Sequence, residues 1–197
     1  MNGFFPESKT TQIELEEIVD VKHQIISPQS SAPIISTIQD TILGNDMMTY
    51  NEDKIDWRTV MNILSAVSLD TLDVKKNKEY TGKQLFSAIL PETINTTFID
   101  KEDDKATRIV NGELLEGSVG SNMIGVKKKN NLIHIVFDEY GPDKTVEFID
   151  DLTKIANNYN LYYGLTLSVG DLYMTPENKQ KMYQVIEKAK LNAVSSF

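Results

Sequence analysis

The chain has 197 residues, 40% of them apolar and 25% charged, with ten glycines and six prolines, a balance that suits a folded protein and excludes disorder throughout. Its 29 acidic against 20 basic side chains leave a formal charge of −9, which excludes a free-standing module that grips DNA or RNA by neutralising phosphates. The absence of cysteine excludes disulfides, thiolate nucleophiles, zinc ribbons and iron–sulfur centres, and makes an intracellular setting the expectation.

The start, Met1 to Glu17, has neither a basic stretch nor an apolar one of the kind that directs secretion, and no apolar run approaches the ~18 residues that span a bilayer, so no membrane partner is expected. Residues 10–20 predict a short amphipathic helix, with Leu15, Ile18 and Val19 at i, i+3, i+4 and Glu14, Glu16 and Glu17 on the other faces. The stretch from Ile25 to Pro33 holds two prolines and is expected to be a loop. Ile38 to Met48 predicts a helix that stops near Gly44 or Asn45. Asp56 is placed to cap the next helix, Trp57–Val67, which turns Val60, Ile63, Leu64 and Val67 inward with Trp57 as a core anchor.

The polar stretch Asp70–Glu79 follows, and Thr81-Gly82-Lys83-Gln84 opens a helical run to Leu90 that Pro91 ends. Asp100–Asp104 reads as a solvated loop, since it lacks the alternate spacing and turn glycine of a calcium site. Asn111-Gly112 between two apolar-rich segments is the strongest hairpin signal in the chain. Gly117–Gly125 is a connection, followed by Lys127-Lys128-Lys129, the one basic cluster, which suits either a solvated edge or a phosphate contact. Leu132–Phe137 fits helix or strand. After Gly141-Pro142 the spacing of Phe148, Leu152, Ile155 and Tyr159 predicts the best helix, Lys144–Tyr159, and a last one runs from Pro176 to Ala193 with Met182, Val185, Ile186 and Ala189 on one stripe. The fold class is α+β, with mixed helices and short antiparallel strands.

Chemistry is sparse. Gly82-Lys83 lacks the upstream glycine and the hydroxyl residue of a phosphate loop. No G-x-S-x-G, H-E-x-x-H or dinucleotide fingerprint occurs, and His23 and His134 leave few general bases at neutral pH. A site with three histidine ligands is impossible, and no metal ligand set is assigned; His134 reads as a satisfied, partly buried side chain and His23 as part of a connection. No catalytic residue is assigned within the chain.

Several segments in order resemble one family. Met1-Asn2-Gly3-Phe4-Phe5-Pro6-Glu7-Ser8 is similar to an E-M-N-x-H-x-P-Q-S block, and Gln12-Ile13-Glu14-Leu15-Glu16-Glu17 to the helix after it. Gln24-Ile25-Ile26-Ser27-Pro28-Gln29-Ser30-Ser31-Ala32-Pro33 resembles Q-I-x-S-P-Q-S-x-x-P, and Gln39-Asp40 through Gly44 resembles Q-D-x-x-x-G. Thr81-Gly82-Lys83-Gln84-Leu85-Phe86-Ser87 resembles S-G-K-Q-x-x-S, and Gly112–Gly117 the hairpin beyond it. Leu132-Ile133-His134-Ile135-Val136, Gly141-Pro142 and Gly164–Asp171, ending in Gly170-Asp171, resemble L-I-H-x-V, G-P and G-x-S-x-G-I-G-D blocks. The family is the largest subunit of multisubunit DNA-directed RNA polymerase, of the eukaryotic or large-DNA-virus type, just past its metal-binding N-A-D-F-D-G-D motif.

That resemblance implies a pore region over residues 1–140 and the start of a helical funnel region over 141–197, lining the secondary channel through which nucleotides enter and backtracked RNA leaves. It implies that the metal-binding aspartates precede Met1 and the bridge helix and trigger loop follow Phe197, so that the isolated chain is inactive and magnesium belongs to the assembled enzyme. The implied partners are the rest of the largest subunit, the second-largest and smaller subunits, and, only in the assembly, DNA, RNA and nucleoside triphosphates. The implied location is the nucleus, or the virion or host cytoplasm for a virus. Where relatives often carry Lys-Lys in the pore, this chain has Ser121-Asn122, and its own Lys127–Lys129 come later. Two expectations stand: a segment of such an enzyme, its gene split, interrupted or partly recorded, or a free-standing accessory or decoy module derived from it. In either case apolar surface that belongs against missing neighbours is expected to be exposed.

Overall fold

A computed structural model describes residues 3–67, 74–99 and 106–195. Met1–Tyr163 and Gly164–Phe197 form separate compact units. The expected loop at Asp100–Asp104 and part of the polar stretch from Asp70 lie outside the described residues.

The first unit opens with α1 (Lys9–Glu14), whose Ser8 cap accepts a hydrogen bond from the Thr11 amide at 3.1 Å. A π-helical turn continues it over Leu15–Val19, and a 3₁₀ turn over Val21–Gln24 carries the exposed His23. The predicted helix is therefore present but changes its winding midway, and its apolar stripe stays uncovered: Ile18 is 64% and Val19 56% exposed. Lys22 ties this region to the rest through Asp143 at 2.9 Å, and that hydrogen bond holds its ammonium above the usual lysine range.

The expected loop at Ile25–Pro33 is instead a small hairpin, β1 (Ile26–Ser27) with β2 (Ala32–Pro33). Proline is tolerated there because it occupies a short strand with no second neighbour. The next helix, α2 (Asp40–Tyr50), runs straight through Gly44, against the stop expected there. Gly44 acts as a packing point, since a Cβ would come within 2.9 Å of the Ala156 carbonyl and the Asn160 side chain. Asn45, fully buried beside it, donates its amide to the carbonyls of Thr41 and Leu152.

Two unexpected three-residue strands, β3 (Lys54–Asp56) and β4 (Glu79–Thr81), pair antiparallel. Asp56 caps α3 (Trp57–Leu64) by accepting from the Arg58 amide, and Val60, Ile63, Leu64 and Val67 are buried, with Trp57 half-buried against them. Thr81 and Gln84 form a reciprocal capping box at the start of α4 (Gly82–Ser87). A three-stranded sheet, β5 (Thr96–Ile99), β6 (Ala106–Val110) and β7 (Glu113–Glu116), is antiparallel throughout, and Asn111 (φ 50°) and Gly112 (φ 72°) make the predicted tight turn. After the short α5 (Ser121–Ile124) comes α6 (Leu132–Tyr163), kinked at Gly141 (φ 82°) ahead of Pro142. Leu132–Phe137 is thus helical, and Phe148, Leu152, Ile155 and Tyr159 are buried as their spacing requires.

The second unit holds a 3₁₀ turn, Val169–Leu172, and α7 (Pro176–Ser195). Its predicted stripe is exposed: Met182 is 37%, Val185 68% and Ile186 41% accessible. The architecture is α+β.

Candidate functional site

The chemistry-bearing residues of the first unit gather around the turn that follows α5. Ser121 and Asn122 are exposed on α5, while Met123 and Ile124 of the same helix are buried and hold it to the core. The carbonyl of Ile124 accepts from both Ser36 and Thr37 hydroxyls, and Thr37 pairs with Gly125 in a parallel bridge. The backbone amide of Lys127 donates to the Pro33 carbonyl at 2.8 Å. The segment that resembled a family block at Ser27-Pro28-Gln29 to Pro33 therefore braces the lysine turn: Pro28-Gln29 form the bend of the hairpin, closed by Ser31 donating to Ser27 at 2.8 Å.

On the far side, the buried Asn131 donates its side-chain amide to the Gly125 carbonyl and accepts from the His134 amide. His134 is partly buried; its Nδ1 accepts from Asn130, and its Nε2 lies 3.5 Å from Asp138. Lys127 (φ 60°) and Asn130 (φ 53°) both occupy left-handed backbone, a conformation that costs about 1 kcal/mol or more for a residue with a side chain. The turn is thus built, pinned at both ends by buried groups. It presents Lys127, Lys128 and Lys129 to solvent, and among the described residues none of them is ion-paired.

The other motif residues are structural where they are described. Gln39 (φ 47°) and Asp40 start α2, and the Asp40 carbonyl accepts from Asn160 at 3.0 Å. Gly82 is buried, with no room for a side chain: an added Cβ would lie 1.7 Å from the Met48 carbonyl oxygen. Lys83 and Gln84 follow it on α4, so the glycine of this Gly-Lys pair is a helix-packing point. Gly170 and Asp171 lie in the 3₁₀ turn of the second unit. Among the described residues no three His, Asp or Glu side chains converge to hold a metal ion. Asp151 is the buried carboxyl of α6; burial pushes its pKa up, against the opposing pull of Lys154 at 3.6 Å.

Sequence reasoning found the lysines and missed the residues that hold them, Ser36, Thr37 and Asn131, whose short polar side chains give no signal until the two segments meet. The family model for RNA polymerase Rpb1, domain 3, matches residues 24–172, which takes in the hairpin, the lysine turn and all of α6. The chain belongs to the RNA polymerase Rpb1 domain 3 family. This Rpb1-family chain is 33% identical over 189 residues to DNA-directed RNA polymerase subunit 1 of Acanthamoeba polyphaga mimivirus, covering 95% of the chain and 12% of that relative. It is 30% identical over 201 residues to DNA-directed RNA polymerase II subunits RPB1-B and RPB1-A of Trypanosoma brucei brucei, covering 98% of the chain and 11% of each. The Rpb1-family chain therefore spans about an eighth of the length of the relatives it matches. No described helix is long and apolar enough to cross a membrane.

Proposed function

We propose that the chain works as a segment of the largest subunit of a DNA-directed RNA polymerase, forming the pore region over residues 1–140 and the start of the funnel over 141–197. The observation that carries this is the match of 95% of the chain to 12% of a polymerase largest subunit, in line with the ordered motif blocks. On this reading the assembled enzyme joins ribonucleotides on a DNA template inside the cell. Its magnesium chemistry belongs to the aspartate motif elsewhere in the subunit, and the isolated chain is inactive. The partners are the rest of the largest subunit, the second-largest and the smaller subunits, with DNA, RNA and nucleoside triphosphates bound only in the assembly.

Within that enzyme this chain's own residues line the secondary channel. Ser121 and Asn122 stand where relatives often carry lysines, and the pinned Lys127–Lys129 turn supplies the positive charge a few residues later. Three ammonium groups without an ion-pair partner among the described residues, on a chain of net charge −9, attract phosphates locally while the rest of the surface repels them. The test is the assembled polymerase with Lys127, Lys128 and Lys129 all replaced by Gln. Its apparent KM for nucleotides rises severalfold, or cleavage of backtracked transcripts slows. Kinetics that match the parent enzyme refute the channel role of the turn.

A further inference from the structure

We propose that the groove between α4 and the β6–β7 hairpin is a docking site for an extended peptide segment of another protein that carries one acidic and one basic side chain. The groove is open to solvent along one side and offers about 800 Å³, within the ~300–1,000 Å³ range of ligand sites and enough for a short extended segment. Two of the motif blocks, Thr81–Ser87 and Gly112–Leu115, converge on it, although neither belongs to the lysine turn.

Its lining is divided by charge. Lys78 and Lys83 come from the β4–α4 side, Glu113 from the hairpin, and Glu92 from the stretch after α4. Among the described residues none of these four is ion-paired, although both signs line one groove; the ammonium of Lys78 instead sits 4.9 Å from the centre of the Tyr80 ring. Between them the surface mixes apolar and polar groups: Leu115 is 49% exposed, Leu90 and Leu114 are buried, and Gln84, Ser87 and Asn111 also line the groove. A nucleotide or a run of phosphates would meet Glu92 and Glu113 as well as the lysines, so one sign of charge is always opposed. A segment with one carboxylate and one cation pairs with one lysine and one glutamate at once, and its backbone crosses Leu115 between them. β7 is the edge strand of its sheet, but Ser87 Oγ already accepts the Leu114 amide hydrogen at 2.9 Å. Recognition therefore runs through side chains rather than through a full added strand.

This docking requires no assembled polymerase, so it stands or falls separately from the channel reading. The test pans the full 197-residue chain, and in parallel its K83E/E113K variant, against a random linear peptide library displayed on phage. The parent chain enriches peptides with one acidic and one basic residue at a fixed separation. A synthetic peptide of that consensus binds K83E/E113K about tenfold more weakly and shifts the amide NMR signals of residues 83–88 and 112–115. Should the double variant not fold, as judged by circular dichroism, Lys83→Gln serves instead and removes the preference for the acidic position. No enriched consensus, a consensus bound equally by both chains, or shifts mapped elsewhere overturns the proposal.

Discussion

Replacing Gly82 with alanine puts a methyl carbon where the backbone of Met48 already stands. The added Cβ would lie 1.7 Å from the Met48 carbonyl oxygen and 2.7 Å from its carbon, against a floor of 3.0 Å for such contacts, so α2 and α4 must part by about 1.3 Å. Nothing at this point can rotate away, since the obstacle is main chain. The separation also pulls on Leu85 and Phe86, both fully buried, and on Met48 itself. Overpacking a tight core costs ~1–3 kcal/mol, and a clash with backbone belongs at or above the top of that range, so a loss of about 3 kcal/mol or more is expected. Gly120→Ala is the internal control: its nearest neighbour is Asp46 Oδ1 at 3.7 Å and its φ is negative, so the unfolded-state gain and the weaker helix cap offset each other and stability moves by less than ~1 kcal/mol. Urea unfolding of the full chain, followed by far-UV circular dichroism and by the single tryptophan, Trp57, measures both. A Gly82→Ala midpoint within ~0.5 kcal/mol of the parent refutes the close-packing account of the Gly-Lys pair.

Leu152→Ala, in the fully buried face of α6, lowers stability by about 2–5 kcal/mol in the same assay, and a loss below ~1 kcal/mol contradicts the assigned core. Asp151 has a pKa raised by burial, so the native state holds its proton more tightly than the unfolded chain and stability falls as pH climbs past the ordinary carboxyl value of 3.8. Asp151→Asn accordingly stabilises at pH 7 and brings no gain at pH 3; a variant less stable at pH 7 reverses the sign. Asp143→Asn breaks the ion pair with Lys22, but Asp143 is 82% exposed, so the cost stays below ~1 kcal/mol and shrinks in high salt, as paired melts at two ionic strengths show.

The elements legible in the sequence were those with a local cause. Asn111-Gly112 carries its turn in its own backbone preference, Asp56 its cap in one side chain, and Phe148, Leu152, Ile155 and Tyr159 their burial in a helical stripe of about three turns. The features that escaped depend on distant partners. β3 and β4 are three residues each and exist only because Lys54–Asp56 meets Glu79–Thr81. Gly44, which by propensity ends a helix, lies inside one because α6 approaches too closely for any side chain. Leu132–Phe137 is ambiguous in the sequence because a short apolar run fits helix and strand alike; in the structure it is helical, with Leu132, Ile133 and Val136 buried on one stripe. At the candidate site the lysines announced themselves by charge, while the carbonyls of Pro33 and Ile124 that fix the surrounding turns have no signature in the chain.

The most direct test of the account is an affinity tag on this chain in the cell that makes it, followed by purification under native conditions. The account predicts that the second-largest polymerase subunit and the metal-binding portion of the largest subunit co-purify in equal amounts, and that the material extends RNA on a DNA template. Recovery of the chain without those subunits, or with them but in a complex that cannot extend RNA, contradicts it and favours an accessory module derived from the polymerase.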